Sequence, residues 1–597
     1  MSPPTLKGET NMLKIFKYLR SKDWAFMGIS LIFIIGQVYL DLKLPDYLSE
    51  ITKLVQTEGS EMSAILTAGG SMLLCALGSL VATLIVGFFV AQIAAGLSMR
   101  LREQLYDKTM SFSMEEMNRF STASLITRTT NDITQIQTFV AMGLQAIVKA
   151  PIMATWAIIK ISGKSWELTA VTCCAVVFLI LLIGTIVVLV MPKFTKIQKL
   201  TDNLNRVTRE NLTGIRVVRA YNAEDYQEKK FETANDELTK TNLFANRVMS
   251  ALHPGMTLTM SGLTLAIYWV GVYLLEAAAG PEKLQLFSDM VVFSSYATVV
   301  VTAFMMLTMT MLILPRAAVS AKRVNEVLDT QAEISDGVVT SSDKNAQGEI
   351  VFQNVSFRYP DAEDDILHNI SFTARKGETV AFIGATGSGK STLVNLIPRF
   401  YDVTGGEILV DGFNVKDYPQ NVLRDKIGYV PQKSVLFSGT VRSNVMYGDS
   451  GKTMSNEDMV DAVNVAQAFE FVEQMDGKYD AVITQGGMNV SGGQKQRISI
   501  ARAVCRKPEI LIFDDSFSAL DYKTDQALRQ ALKQKMAGIT TLIVAQRVGT
   551  IMDADKIIVL DEGRIVGQGS HRELMETCAV YREIAESQLS EEELKNA

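Results

Sequence analysis

Six apolar runs fill the first half of the chain and constrain it more than any other feature. They fall at about 24–46, 65–95, 136–160, 166–191, 250–276 and 287–315. Each approaches or exceeds the ~20 apolar residues a helix needs to cross ~30 Å of hydrocarbon. The charged flanks set the orientation. Between runs two and three lie Arg100, Arg102, Lys108, Arg119 and Arg128. Between runs four and five lie Lys193, Lys196, Lys199, Arg206, Arg209, Arg216, Arg219, Lys229 and Lys230. The loops after runs one, three and five are short and poor in Lys and Arg. The positive-inside rule therefore predicts a multi-pass protein of the cell membrane with both termini and both long connectors in the cytoplasm. A bacterial plasma membrane is the expected setting. The connectors keep helical periodicity with few breakers, which predicts helices extending tens of Å beyond the bilayer.

Residues 1–23 hold "MLKIFKYLRSKDW" (Met12–Trp24), where Leu13, Phe16, Tyr18 and Leu19 alternate with cationic residues. That pattern suits an amphipathic elbow lying in the headgroup region. No signal-peptide cleavage pattern is present. The spans and connectors occupy 24–316. A charged helix and "DGVVTSSDKNAQGE" then form a linker over 317–348. From 349 to 587, short β-branched strands alternate with helices, and 588–597 reads as a polar tail. The expected fold is thus multi-domain. A six-helix transmembrane domain with long cytoplasmic helical extensions precedes an α/β phosphate-loop nucleotide-binding domain with a helical subdomain.

Composition excludes other classes. Lys plus Arg (58) nearly balance Asp plus Glu (64), which argues against nucleic acid as the main partner. The five cysteines form no CxxC pair, so neither a disulfide framework nor a zinc site is expected.

The chemistry is concentrated in the second half. "GATGSGKST" comprises Gly384, Ala385, Thr386, Gly387, Ser388, Gly389, Lys390, Ser391 and Thr392. It follows the apolar "TVAFI" and precedes the helical "LVNLIPRF", the setting that confirms a phosphate loop. Glycines let backbone N–H groups converge on phosphate oxygens, and the following helix adds its N-terminal dipole. Lys390 would reach the β- and γ-phosphates, and Ser391 would offer its hydroxyl to Mg2+. Upstream, Tyr359 in "VSFRYP" could stack on adenine. Gln432, at a strand end, could touch Mg2+ or the attacking water. "LIFDDSFSALD" ends an apolar run in Asp514, a metal-holding carboxylate, then Asp515 and, six residues on, Asp521. In "NVSGGQKQRISIARAV", Ser491, Gly492, Gly493 and Gln494 form a second anion-binding turn opening a helix. One domain rarely uses two such surfaces on one nucleotide, so this turn is expected to close over ATP held by a partner.

In combination and in this order, these motifs resemble the ATP-binding-cassette family, and the chain is similar to an exporter half-transporter over nearly its whole length. The resemblance implies a dimer with two ATP molecules sandwiched head-to-tail, each between one subunit's phosphate loop and the other's signature turn, with Asp521 in the D-loop. It also implies coupling helices near "SMEEMNRFSTAS" and "TGIRVVRAYNAEDY". Two positions depart from the family. Asp515 stands where the catalytic glutamate is expected, one methylene short of the attacking water. Gln546, in "TLIVAQRVGT", replaces the switch histidine. It can hydrogen-bond a γ-phosphate but cannot carry its charge or shuttle a proton. His253, His368 and His571 all lie elsewhere. All the binding motifs are kept. The pattern is that of the degenerate-site half of a heterodimeric, multidrug-type exporter, whose partner carries the glutamate and the histidine. ATP and Mg2+ are the expected cofactors, and hydrolysis is expected mainly at the site built on the partner's Walker motifs.

The spans reveal less about cargo. Phe304, Met305, Met306, Met309 and Met311 cluster in run six, and Pro254 predicts a kink in run five. Asp41, Lys43, Lys149 and Glu276 mark charges inside or at the rims of spans. Amphipathic drugs or other hydrophobic compounds are the expected cargo. Lipid or peptide export is the alternative, and an ATP-gated channel or regulatory assembly is the other class.

Overall fold

The computed structural model describes residues 12–57, 59–162, 165–278, 281–339, 347–448 and 454–589. Most of the expected tail and part of the linker lie outside the described residues. In chain order the first helices are α1 (Ser21–Gln56), α2 (Met62–Met110), the short α3 (Met114–Phe120) and α4 (Thr122–Ser162). They are followed by α5 (Trp166–Thr213), the short α6 (Ile215–Ala220), α7 (Glu224–Ala277) and α8 (Pro281–Asp329). Six of them (all but α3 and α6) are long and apolar enough to cross a membrane. Two compact units result: Met1–Met110 with Ala123–Thr330, and Ser111–Thr122 with Gln331–Ala597.

In the first unit, α1, α4, α7 and α8 share an apolar core that includes Val38, Ala150, Ala157, Ile267, Phe293 and Val300. Lipid is as apolar as leucine, so helix association here depends on close packing, and fully buried alanines such as Ala150, Ala157 and Ala303 allow it. The outer face of α2 presents Leu73, Leu77, Leu84 and Phe88, the side chains a lipid environment tolerates. Some of the charges inside the spans are paired. Lys149 Nζ lies 3.4 Å from Asp41, which also accepts from Ser79. Two partners went unread in the sequence: Asp46 takes Lys160 at 2.9 Å and the hydroxyl of fully buried Tyr296 at 2.9 Å. Lys43 lies over the Tyr39 ring instead. Met305 and Met309 are exposed, whereas Met306 packs against the core; the side chain of Met311 lies outside the described residues.

The elbow is less peripheral than its amphipathic pattern predicts. Met12, Ile15 and Leu19 are buried, and Arg100 of α2 ties it down through Tyr18 O at 2.9 Å and an ion pair with Asp23. At the other end of the unit, helix continues past 316 to Asp329. Alanines and long charged side chains favour it there, and α4 braces it: Arg128 bonds Glu326 at 3.1 Å and Ser320 bonds Asp132 at 2.9 Å.

The second unit is built on two sheets. One is antiparallel with order β2-β1-β4-β5, comprising β1 (Ile350–Phe357), β2 (Leu367–Ala374), β4 (Gly405–Val410) and β5 (Phe413–Asn414). The other has order β12-β11-β3-β10-β9-β6. It joins β3 (Thr379–Gly384), β6 (Ile427–Val430), β9 (Ile510–Asp514), β10 (Thr540–Val544), β11 (Lys556–Asp561) and β12 (Arg564–Gly569). In this sheet β11 and β12 pair antiparallel and the rest parallel, while β7 (Gly439–Thr440) and β8 (Val482–Ile483) form a separate antiparallel ribbon. Residues alternate across this sheet, so one strand feeds two cores. Val380, Phe382, Ile512 and Leu542 join the core that includes β1, β2 and β4. Ala381, Ile383, Phe513 and Ile543 join the core that includes the helical segments. A strand buried on both faces reads as an unbroken apolar run, as "ILIF" does. Both segments expected to hold coupling helices do form short helices, α3 and α6. Ser113 caps α3 through a box in which Glu116 accepts from the Ser113 N–H at 2.7 Å.

Candidate nucleotide site

Four parallel strands end side by side, and each delivers one expected site residue at its carboxyl end, where open α/β sheets bind ligands. β3 leads into the phosphate loop, β9 ends at Asp514, β10 leads to Gln546, and β6 leads to Gln432. Register fixes the alignment: Val544 pairs with Asp514 and with Phe382, and Val430 pairs with Phe513.

The loop joins β3 to α9 (Lys390–Leu396). Gly384 and Gly389 have φ of +153° and +93°; a Cβ would meet Leu560 O at 1.9 Å in the first and Leu367 Cδ2 at 2.7 Å in the second. Only glycine fits either place. Lys390 Nζ donates to Gly384 O (2.9 Å), Ala385 O (2.7 Å) and Ser388 Oγ (3.2 Å), so the ammonium lies within the curl of the loop. Burial holds it below its ordinary pKa, against the opposing pull of Asp515 and Asp514. Ser391 Oγ donates to Asp514 Oδ1 at 2.7 Å. Burial raises the Asp514 carboxyl above the usual range, partly offset by that hydroxyl. A cation at this point would relieve that desolvation. The Ser391 hydroxyl, the Asp514 carboxylate and the Gln432 carbonyl are hard oxygen donors of the kind Mg2+ takes.

Asp515 is distinctive. It sits in the left-handed region (φ 49°), its N–H bonds Val544 O at 3.0 Å, and it is buried. One carboxylate oxygen, Oδ2, accepts from Gln546 Nε2 at 2.7 Å and from Gln432 Nε2 at 3.1 Å. The two departures noted in the sequence therefore touch each other. None of the three histidines is there: His571, for example, bonds the Tyr581 hydroxyl at 2.6 Å.

Tyr359 folds over α9, its hydroxyl 3.1 Å from Thr392 Oγ1 and its ring edge-on to Tyr401 at 5.3 Å. Tyr401, missed in the sequence, accepts from Asn118 of α3 at 3.0 Å, so this short helix reaches the aromatic cluster beside the loop. Thr386 and Gly387 make no hydrogen bond to the other site residues among those described, and nothing lies within 4 Å of a Cβ built on Gly387.

Ser491 caps α10 (Gly492–Cys505), accepting from Gln494 N–H at 3.3 Å while Gln494 Oε1 accepts from Ser491 N–H at 2.9 Å. A Cβ on Gly492 would meet nothing within 4 Å, whereas one on Gly493 would lie 3.3 Å from Ala519 O, so the turn is open at Gly492 and packed at Gly493. Asp521 caps α11 (Tyr522–Lys535) through Thr524 N–H at 3.0 Å, which lowers its carboxyl pKa. Within this chain it is a helix cap.

The family model for the ABC transporter transmembrane region matches residues 27–304, and that for the ABC transporter matches 367–518. The chain is 40% identical over 529 residues to an uncharacterised ABC transporter ATP-binding protein of Mycobacterium tuberculosis, covering 88% of each. It is 32% identical over 515 residues to an ATP-dependent lipid A-core flippase of Syntrophus aciditrophicus, covering 86% of this chain and 83% of the flippase. Its fold matches the structure of a bacterial Atm1-family ABC exporter with ATP bound, with TM-score 0.79 and 26% identity over 95% of this chain and 98% of the other. The chain belongs to the ABC transporter family, as an exporter half-transporter that carries its membrane region and its ATP-binding domain on one polypeptide.

Proposed function

We propose that this chain is the degenerate-site half of a heterodimeric exporter: it holds Mg2+–ATP, hydrolyses it poorly, and serves the competent site on its partner. One observation carries the reading. The residue in the place of the general base, Asp515, is a short carboxylate whose Oδ2 is bound by two glutamine amides, Gln432 and Gln546. An amide cannot take a proton from Asp515 or pass one on. A base out of reach of the water forfeits much of the ~10²–10⁴-fold that general-base catalysis supplies.

Binding is a separate matter. Gly384–Thr392 would wrap the phosphates, Lys390 exchanging its loop carbonyls for phosphate oxygens. Ser391, Asp514 and Gln432 would hold the Mg2+, which neutralises phosphate charge. Tyr359 would stack on the base. Ser491 and Gly492, which are exposed, would complete the partner's site together with Gly493 and Gln494, with Asp521 alongside. Both termini and the connectors would lie on the cytoplasmic side.

The cargo we favour is an amphipathic, hydrophobic compound of drug type. A lipid is the second reading, supported by the relatives named lipid A-core flippases. ATPase assays of this chain alone, and co-expressed with a candidate second half, test the assignment. The account expects near-silence alone and turnover in the pair, abolished by Glu→Gln at the partner's base. Robust hydrolysis by this chain alone would overturn it.

A further inference from the structure

Past Ala545, whose N–H bonds Phe382 O at 3.1 Å, the chain leaves the sheet and carries Gln546 to Asp515. It re-enters regular structure at α12 (Val548–Ile551), a single turn of helix. Two backbone groups on this short stretch, the Gln546 carbonyl and the Val548 N–H, are taken up by one side chain. Gln588, the last residue of α13 (Ala579–Gln588), donates from Nε2 to Gln546 O at 2.9 Å and accepts at Oε1 from Val548 N–H at 2.9 Å. A primary amide presents a donor and an acceptor side by side, and here each faces a group able to play only the opposite role. Glutamate would lack the donor and lysine the acceptor.

The core face of α13 sets its seat. Tyr581 and Ala585 are fully buried and join the core that also holds Val548 and Ile551. Gln588 follows seven residues after Tyr581, on the same helical face, and so meets the loop above that core. Apolar packing is non-directional and does not by itself fix the backbone that carries Gln546. The paired hydrogen bonds do. Gln546 Nε2 has two N–H donors, and Asp515 takes one of them. The other is left for a γ-phosphate oxygen.

We propose that Gln588 is a positioning residue for the nucleotide site: it clamps the backbone on either side of Arg547 and so keeps the Gln546 amide ordered where the γ-phosphate would lie. ATP then meets that amide already in place, whereas ADP has no γ-phosphate and gains nothing from it. The proposal rests on the reading in which Gln546 stands at the γ-phosphate.

The test is equilibrium binding of Mg2+–ATP and of ADP to the purified full-length chain, beside hydrogen exchange of 545–551 without nucleotide. Gln588→Ala should speed exchange at Val548 and weaken ATP binding by about three- to tenfold, the value of one or two neutral hydrogen bonds near the surface, with ADP binding unchanged. Unchanged ADP binding also shows that the variant is folded. Glu586→Gln, an exposed neighbour on the same turn, should alter neither. Gln588→Glu should match Gln588→Ala at about pH 7.5, because an ionised carboxylate cannot donate to Gln546 O. Near pH 5 it should recover towards the native chain at that pH, since a protonated carboxyl restores both bonds and the facing carbonyl raises its pKa. Equal loss of ATP and ADP binding would reduce Gln588 to a structural role and overturn the proposal. Undiminished ATP binding in Gln588→Ala, or no recovery of Gln588→Glu in acid, would overturn it too. Failure of the native chain to bind either nucleotide is a different result: it would sink the reading of the site, and this proposal with it.

Discussion

The two poles of the nucleotide site have been treated differently. At the phosphate-loop pole every element is kept: glycines where a Cβ would strike Leu560 O or Leu367, Lys390 in the curl of the loop, and Ser391 on Asp514. At the pole where the attacking water would sit, a short carboxylate is bound by two amides. Both poles belong to one sheet whose strands feed the same two cores, so the difference is not a general decay of the domain. On the function proposed above, holding a nucleotide and cleaving it would rest on separable side chains even though adjacent strands supply them.

The strongest way to break this contrast is to rebuild the altered pole. Asp515→Glu with Gln546→His should raise hydrolysis at this site by about 10²–10⁴-fold, the range of a recovered general base, in single-turnover assays with labelled ATP. Next in size is damage to the kept pole. Lys390→Ala removes charge-assisted hydrogen bonds and should weaken ATP binding by roughly 10- to 100-fold, read by equilibrium binding of a fluorescent ATP analogue. Tyr401→Phe, which deletes only the hydroxyl that Asn118 reaches, should weaken it by no more than about tenfold, the value of one neutral hydrogen bond.

The smallest effect concerns the seat of α3. Burial, together with Glu333, Glu116 and Asp361, raises the Glu115 carboxyl to about 7. The folded state therefore holds a proton there that the unfolded state has released above its ordinary carboxylate pKa. That contribution is present at low pH and fades as pH rises through about 7. Hydrogen exchange of 114–120, corrected for intrinsic rates, should show less protection at pH 8 than at pH 6, and Glu115→Gln should flatten the difference.

What was legible in the sequence follows from range. Helices that cross a bilayer are written locally, in length and hydropathy, and the phosphate loop is written in nine consecutive residues. Asp515 and Gln546 were also visible, each as a departure within a local pattern; their contact was not, because it depends on β9 and β10 being neighbours. The long-range polar partners were least visible. Asp46 and Tyr296 are separated by 250 residues, and Asn118 and Tyr401 by 283. Nothing local marks either pair. The burial of the elbow was not legible for the same reason: its periodicity resembles a headgroup helix, whereas Met12 and Ile15 are buried and Arg100, 82 residues on, bonds Tyr18 O.

The central claim is that ATP at this chain's own phosphate loop stays largely uncleaved. The most direct test loads the purified full-length chain, without a second half, with γ-labelled ATP and Mg2+ and follows phosphate release in a single turnover. The account predicts that nucleotide is retained intact and that Asp515→Asn changes nothing. Rapid release of phosphate that Asp515→Asn abolishes would contradict it and make Asp515 a working base.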